Sequence, residues 1–317
     1  MASLCPHPAS LLTRARVSPA AARSTRRVAP ARCAAAPADD PRVVGRRDAI
    51  SAGVSLLVAA DVGVAAQPAA AQTLASAGDG PVLVVGATGN TGRRVVEQLR
   101  ARGVAVRAGS RKPEKMRALG MEASGAELVA LDVLDPESIS SAMAGASAVV
   151  CCTGFTPSLN FKKDNPAKVD HVGTDNLVAA AVAEKGVKRF VLVTSLLTNA
   201  KAAGQADNDN YKFLNALGGV LDEKLAAELN LRGSGLDYTI VRPGGLSNEP
   251  ESVTGPVIVR GEDTTFGLPT DPGREISRDT VAAVCVEALF DKNASNRVVE
   301  IVASPDAPET SPDTWFA

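Results

Sequence analysis

The sequence is poor in the residues that carry most metal and thiol chemistry. Its 317 residues include five cysteines and two histidines. Five scattered cysteines do not make a disulfide framework. Cys5 and Cys33 lie near the N-terminus, Cys151 and Cys152 are adjacent, and Cys285 sits in an amphipathic helical pattern. With only His7 and His171, and no Cys-x-x-Cys pair, no zinc-binding set is present. Adjacent cysteines face opposite sides of a strand, so Cys151 and Cys152 read as buried thiols, with a redox role beside a cofactor as the alternative. A basic face is also missing. The first 47 residues hold nine of the 34 Lys and Arg, leaving 25 for the remainder, while five of the 35 acids precede Gly80, leaving 30 after it. That balance excludes a broad cationic surface, and with it nucleic acid as a partner. Long apolar runs are absent too. Ile50 to Ala60 gives 11 uncharged residues, too few to span a bilayer, and no transmembrane helix is expected in the mature body.

What is there begins with an address. Residues 1–38 carry no acid and are rich in Ala, Ser, Pro and Arg, the composition of an organelle transit peptide, and their weak amphipathic periodicity points to the plastid. Arg46–Arg47 then precede a mild apolar run and small-residue sites ending near Ala71, an order similar to a twin-arginine signal for thylakoid transfer. The expected organisation is an address over 1–71, a dinucleotide-binding domain over 80–303 and a mobile tail over 304–317. The expected residence is the chloroplast, in the stroma or at the thylakoid surface, with the lumen as the alternative and a thylakoid protein as a candidate partner.

From Pro81 onward, short apolar runs alternate with helical patterns. Strands are expected at Val82–Val85, Val104–Ala108, Leu128–Leu131, Ala148–Cys152, Phe190–Thr194, Tyr238–Val241 and Val298–Val302. Helices are expected at Thr91–Arg102, Pro113–Leu119, Pro136–Ala144, Val169–Lys185, Leu221–Leu231 and Thr280–Phe290. Apolar strands without polar alternation are buried on both faces, which implies a parallel sheet covered by helices on both sides. The expected fold class is α/β, a doubly wound, Rossmann-like sheet of order 3-2-1-4-5-6 plus an edge strand, with ligands at the carboxyl ends where the order reverses. The Gly-, Pro- and acid-rich stretch from 247 to 276 reads as a small loop-built substrate cap.

The segment GATGNTG follows the first strand and opens the first helix, the setting a dinucleotide-binding loop needs. Gly86 permits the tight turn, Gly89 lets backbone approach a pyrophosphate, and Gly92 allows close packing of helix on strand. Ala87, Thr88, Asn90 and Thr91 complete the loop, and the helix N-terminus offers amides and partial positive charge. Ser110, Arg111 and Lys112 follow the second strand, where an NAD-preferring fold offers a carboxylate to the ribose. A guanidinium there can grip a 2′-phosphate, so NADP(H) is expected over NAD(H). Asp132 and Val133 follow the third strand on the adenine side; Asp132 either accepts from the adenine amino group or caps a helix. Thr153–Gly154 lets the fourth strand pass beside the cofactor, and Pro243 and Gly244 place rigid backbone against its nicotinamide end. Phe155, Leu196 and Phe266 are candidate liners of an apolar substrate pocket.

The segments GATGNTG, CCTG, VDHVGTDNLVAAA, VLVTSL, EKLAAE and SGLDYTIVRPGGL resemble the atypical short-chain dehydrogenase/reductase family, in the plastid branch that includes the dehydrogenase-like component of the inner-envelope import machinery. The similarity spans about Pro81 to Pro308 and implies a Rossmann-like fold, NADP(H) binding and plastid residence. The import component also has a Pro/Ser-rich extension that docks ferredoxin–NADP reductase; no counterpart precedes Ala317, so that partner is not carried over. The resemblance further implies a Ser–Tyr–Lys set. Ser195 matches the serine and Lys224 the lysine, but Val220 stands where the tyrosine belongs. The proton donor is therefore missing or displaced. Tyr211 could reach in from the preceding loop or pack there. Tyr238 lies on a strand, and His171 falls in a helical register that satisfies it locally. Lys224 is expected to keep a contact to the cofactor ribose. Two outcomes stay open: an NADP(H)-dependent oxidoreductase acting on an unknown small molecule through Ser195 and Lys224, or a non-catalytic NADP(H) binder serving as a redox sensor or thylakoid scaffold.

Overall fold

A computed structural model describes residues 79–156, 165–216 and 218–317. The targeting segments expected over 1–71 lie outside them. Strands β1 (Val82–Val85), β2 (Val106–Ser110), β3 (Glu127–Ala130), β4 (Ala148–Cys151), β5 (Arg189–Val193) and β6 (Tyr238–Pro243) are followed by three short strands, β7 (Gly245–Ser247), β8 (Val257–Gly261) and β9 (Glu275–Ser277), and by β10 (Arg297–Ala303). The sheet runs β3-β2-β1-β4-β5-β6-β10-β9-β7, with β8 also on β10. Pairing is parallel from β3 through to β10, so the expected 3-2-1-4-5-6 order is present.

Burial explains the topology. Every residue of β1, β4, β5 and β6 is buried. Val82 and Val84 point into one core layer, shared with helices α1 (Asn90–Ala101) and α8 (Arg278–Phe290). Leu83 and Val85 point into the other, shared with α3 (Pro136–Met143) and α4 (Gly173–Ala183). A sheet apolar on both faces needs helices on both faces. The outer strand β3 is the one with exposed ends.

Several expectations change. The second strand runs to Ser110, two residues beyond its expected end, which puts Ser110 on the sheet itself. Helix α2 occupies Pro113–Ala118. The helix expected from Val169 begins as a π-helical turn, Ala167–Val172, before α4. An unforeseen helix, α5 (Asp209–Asn215), is capped by the Asn208 side chain, which accepts from the backbone N–H of Asn210 and of Tyr211. It precedes α6 (Val220–Gly233). The last strand is not an edge, because β8 and β9 pair antiparallel to it. The stretch from 247 to 276 is thus only partly loop: it carries α7 (Glu251–Thr254), β8 and β9. β8 is four residues of VIVR and a glycine, bounded by Pro256, and only its partner β10 makes it a strand. The tail from 304 to 317 is anchored at its end instead of mobile, because Phe316 is fully buried in the α1/α8 core layer and Trp315 packs against it.

A buried polar cluster stands inside this apolar frame. Arg242, on β6, is fully buried. Its Nη2 donates to Glu228 of α6 at 2.6 Å and its Nη1 to Asp263 at 2.8 Å, with Glu300 of β10 at 3.4 Å. Burial opposes the guanidinium charge, but the Glu228 hydrogen bonds and the surrounding carboxylates outweigh it and raise the Arg242 pKa above its ordinary value. Burial also raises Glu300, against backbone N–H donors from Thr264, Thr265 and Asp263 that lower it. Removing one partner of such a pair strands a buried charge, so Glu228→Ala should cost about 3–5 kcal/mol. For a domain of this size that corresponds to a fall in Tm of roughly 6–20 °C. Differential scanning calorimetry checks it; a shift under a few degrees would mean the cluster does not hold the fold.

Candidate dinucleotide and substrate site

The turn after β1 is fixed by backbone bonds. The N–H groups of Gly86 and Ala87 both donate to the Gly109 carbonyl at 3.1 Å, and Gly89 N–H donates to Gly86 O at 2.9 Å. Gly86 sits at φ 80°, and a Cβ there would lie 3.0 Å from the Cys152 carbonyl oxygen. A Cβ at Gly92 would run into the Gly86 carbonyl. Both positions therefore exclude a side chain, one by conformation and one by packing of α1 on the turn. Gly89 caps α1, whose first turn holds no acid, leaving its dipole available to phosphate.

Around this turn opens a cleft of ≈ 700 Å³ of empty space. Gly86, Thr88 and Gly89 line it, with Ser110 at the end of β2 and Arg111 just after it, Asp132 and Val133 after β3, and Thr153 and Gly154 after β4. The sequence-expected residues thus come together at four strand ends. Ala87 and Thr91 are buried behind the turn, and the Asn90 carbonyl accepts from Arg94 Nη1. Lys112 is not among the lining residues; it precedes α2, and its N–H donates to Ser110 Oγ at 3.3 Å. Ser110 Oγ also lies 3.0 Å from Thr88 Oγ1, joining the glycine turn to β2. Asp132 accepts from Leu134 N–H at 3.1 Å, holding its own turn, while the cap of α3 is Asp135. The apolar liners Leu131, Leu134, Cys152 and Val169 carry no sequence signal that separates them from core.

The lysine lies on α6, where its Nζ donates to Asp170 Oδ1 at 2.8 Å. Asp170 comes from the π-helical turn, its side chain is fully buried, and it also accepts from Phe155 N–H at 3.2 Å. Both charged groups lie 3.7 Å from where a Gly154 side chain would begin. Gly154 therefore leaves the room in which the ion pair meets the end of β4. Reading the sequence missed Asp170, since 54 residues separate it from Lys224.

The other acid–base candidates are committed elsewhere. Tyr211 is buried and donates to Asp222 Oδ1 at 2.5 Å. Burial, with Asp222 as acceptor, raises its phenol above the usual value, the reverse of a catalytic tyrosine activated by lysine. His171 Nδ1 is 2.8 Å from Glu223 and its Nε2 3.3 Å from Asp175. Tyr238 is buried at the start of β6. Burial raises the thiols of Cys151 and Cys152, and that of Cys285 to about 12. A thiol held protonated is a poor nucleophile, so the redox alternative finds no support.

Beyond β5 and β6 a second cleft of ≈ 1240 Å³ is lined by Ser195, Leu196, Pro243 and Gly244. The Leu196 N–H donates to Pro243 O at 3.0 Å, which holds the two strand ends together. Phe266 packs beneath, against the small core layer of Leu196, Leu197 and Tyr211, instead of lining the cleft. Among the described residues no cluster of His, Cys, Asp and Glu could hold a metal ion, and no helix is long and apolar enough to cross a membrane.

Fold and cleft define a dinucleotide-binding protein of Rossmann-like type. The NAD(P)H-binding family matches residues 86–292, and the chain belongs to that family. An uncharacterised chloroplastic protein of Arabidopsis thaliana is 46% identical over 238 residues, 74% of this chain and 81% of the relative. The chloroplastic protein TIC 62 of Pisum sativum is 36% identical over 252 residues, 73% of this chain and 44% of the relative, so the chain spans less than half of that protein. Among solved structures, a putative NAD-dependent epimerase/dehydratase from Bacillus halodurans superposes with a TM-score of 0.59 at 28% identity, covering 75% of this chain and 98% of the other. The resemblance to plastid members of the atypical short-chain family is borne out by these relatives.

Two outcomes follow from this geometry. Gly92→Val should abolish NAD(P)H binding, followed by the fluorescence of the bound nicotinamide, with a thermal melt to confirm folding. In a Tyr238→Phe background, the Tyr211 phenolate band should appear only above pH ~10, the ordinary phenol value. Because the folded value is the raised one, the stability it contributes is complete below that pH and is lost as pH rises through the folded value. Ionisation below pH 8 would restore Tyr211 as a catalytic acid.

Proposed function

We propose that this protein is a plastid NADP(H)-dependent oxidoreductase acting on a small molecule. The observation that carries the reading is the pair of clefts at the ends of neighbouring strands: one is shaped by glycines for a dinucleotide, and the other, open and largely apolar, is lined by Ser195. The cradle fits the cofactor because Gly86 and Gly89 bring bare backbone to the cleft wall and the N-terminus of α1, without an acid in its first turn, opens beside them. Arg111, in the first cleft, supports NADP(H) through the 2′-phosphate. Lys224, oriented by Asp170, has two further N–H donors for ribose hydroxyls. NADP(H), when bound, supplies or takes up the hydride. Ser195 donates a hydrogen bond to the substrate oxygen, and with no tyrosine at Val220 the proton comes from water through the open cleft. Plastid residence is supported by the transit-like composition of residues 1–38 and by the chloroplastic relatives.

A second reading, an NADP(H) binder without turnover, is favoured by the Asp222-bound Tyr211 alone. The two separate in one assay. The purified protein with NADPH is offered quinones and carbonyl compounds, and absorbance at the reduced nicotinamide band is followed. The oxidoreductase reading expects turnover that falls at least roughly tenfold in both Ser195→Ala and Lys224→Ala, about 1.4 kcal/mol of transition-state stabilisation each. Tight NADPH binding without turnover on any acceptor overturns it in favour of the binder. Arg111→Ala should weaken NADPH by about tenfold and leave NADH within twofold. An unchanged NADPH/NADH ratio would remove the NADP assignment.

A further inference from the structure

The second cleft has an uneven chemical lining. Phe213, on the short helix α5, is 72% exposed, and Leu246, on β7, is 39% exposed; both face it beside Leu196. Isolated exposed apolar side chains need no explanation, but several gathered on one concave surface mark a ligand surface. Two guanidinium groups, Arg274 and Arg278, stand in the same lining, with Glu275 as its single carboxylate.

Arg278 is the informative one. Its Nη1 donates to the Leu246 carbonyl and to Asn248 Oδ1, both at 3.0 Å and both neutral. Among the described residues no carboxylate pairs with it, and its Nε and Nη2 have no hydrogen-bond partner. The neighbouring Arg94 carries the same charge and is itself occupied by Asp279 at 2.7 Å. Burial and Arg94 push Arg278 below its ordinary value, the mark of a cation lacking its counter-charge. Arg274 is exposed and makes no side-chain bond. A planar guanidinium with free N–H groups in a half-buried setting is matched by a carboxylate, sulfonate or phosphate.

We infer that the substrate is an amphipathic anion whose apolar body lies on Leu196, Phe213 and Leu246 and whose anionic group is held by Arg278 and Arg274. The inference rests on reading the second cleft as the substrate half of an oxidoreductase. Its test is therefore a binding measurement that needs no turnover.

The probes are 8-anilinonaphthalene-1-sulfonate and its neutral counterpart N-phenyl-1-naphthylamine, which share a ring system and differ in the sulfonate. With NADP-loaded protein, the sulfonate probe should bind about tenfold more tightly than the neutral one. Added salt should weaken the sulfonate probe and leave the neutral one unchanged. Arg278→Met should reduce the preference to within twofold while NADPH affinity stays unchanged, and Phe213→Ala should weaken both probes. If Arg278→Met melts early, Arg274→Gln carries the test, because that side chain supports nothing else in the fold and should selectively weaken the sulfonate probe severalfold. Equal affinity for the two probes, or a sulfonate preference untouched by either arginine substitution, overturns the inference. A sulfonate preference without turnover on any acceptor would remove the oxidoreductase reading and leave the anion site standing. Turnover on neutral acceptors without the preference would do the reverse.

Discussion

A buried guanidinium holds together the half of the sheet that carries Ser195, Pro243 and Gly244. Arg242 joins β6 to α6 through Glu228, to β10 through Glu300 and to the segment after β8 through Asp263. Glu228 in turn accepts from Thr194 at 2.6 Å and Thr198 at 3.1 Å, one residue before and three after Ser195. Buried ion pairs are poor stabilisers when judged against an apolar core, but each partner makes the loss of the other costly. The arrangement converts that cost into position: the strand ends that present Ser195, Pro243 and Gly244 cannot shift independently of one another.

The two ends of the site are built by different means. The dinucleotide end is a backbone structure, in which amides, a helix start and the absence of two Cβ atoms form the cradle. The end around Lys224 is a side-chain structure assembled from distant elements. There the familiar tyrosine is replaced by nothing local; Lys224 instead meets Asp170 from a π-helical turn. Such turns widen a helix by one residue and recur at functional sites. Here the widened turn brings a carboxylate under β4 where Gly154 leaves room.

This difference explains what could be read in advance. The glycine turn, the parallel strand order and Ser110, Arg111, Asp132 and Gly154 were legible because each depends on a local pattern: an apolar run, a glycine spacing, a strand end. Asp170 was not, because its role depends on contact with a lysine 54 residues away. The strand β8 was hidden because it lies within a Gly-, Pro- and acid-rich stretch, and its place comes from pairing with β10. The tail ended in apolar residues whose partners lie on the far layer, so composition suggested mobility where Phe316 is in fact locked in. Lys112 was expected in the cleft with Ser110 and Arg111, but it is the N-cap residue at which α2 starts, and only the other two line the cleft.

The segment after β8 is fastened to the stretch around α5 mostly by carboxamides. Asn199 donates to Asp263 at 2.6 Å, Asn208 to the Phe266 carbonyl at 3.0 Å, and Asn210 to the Gly267 carbonyl at 3.4 Å. Two of the three join neutral amide groups and are indifferent to dissolved ions, whereas the contact to Asp263 involves a carboxylate, whose interactions salt screens. The link between the segment after β8 and the stretch around α5 is therefore held mainly by contacts that ionic strength does not weaken.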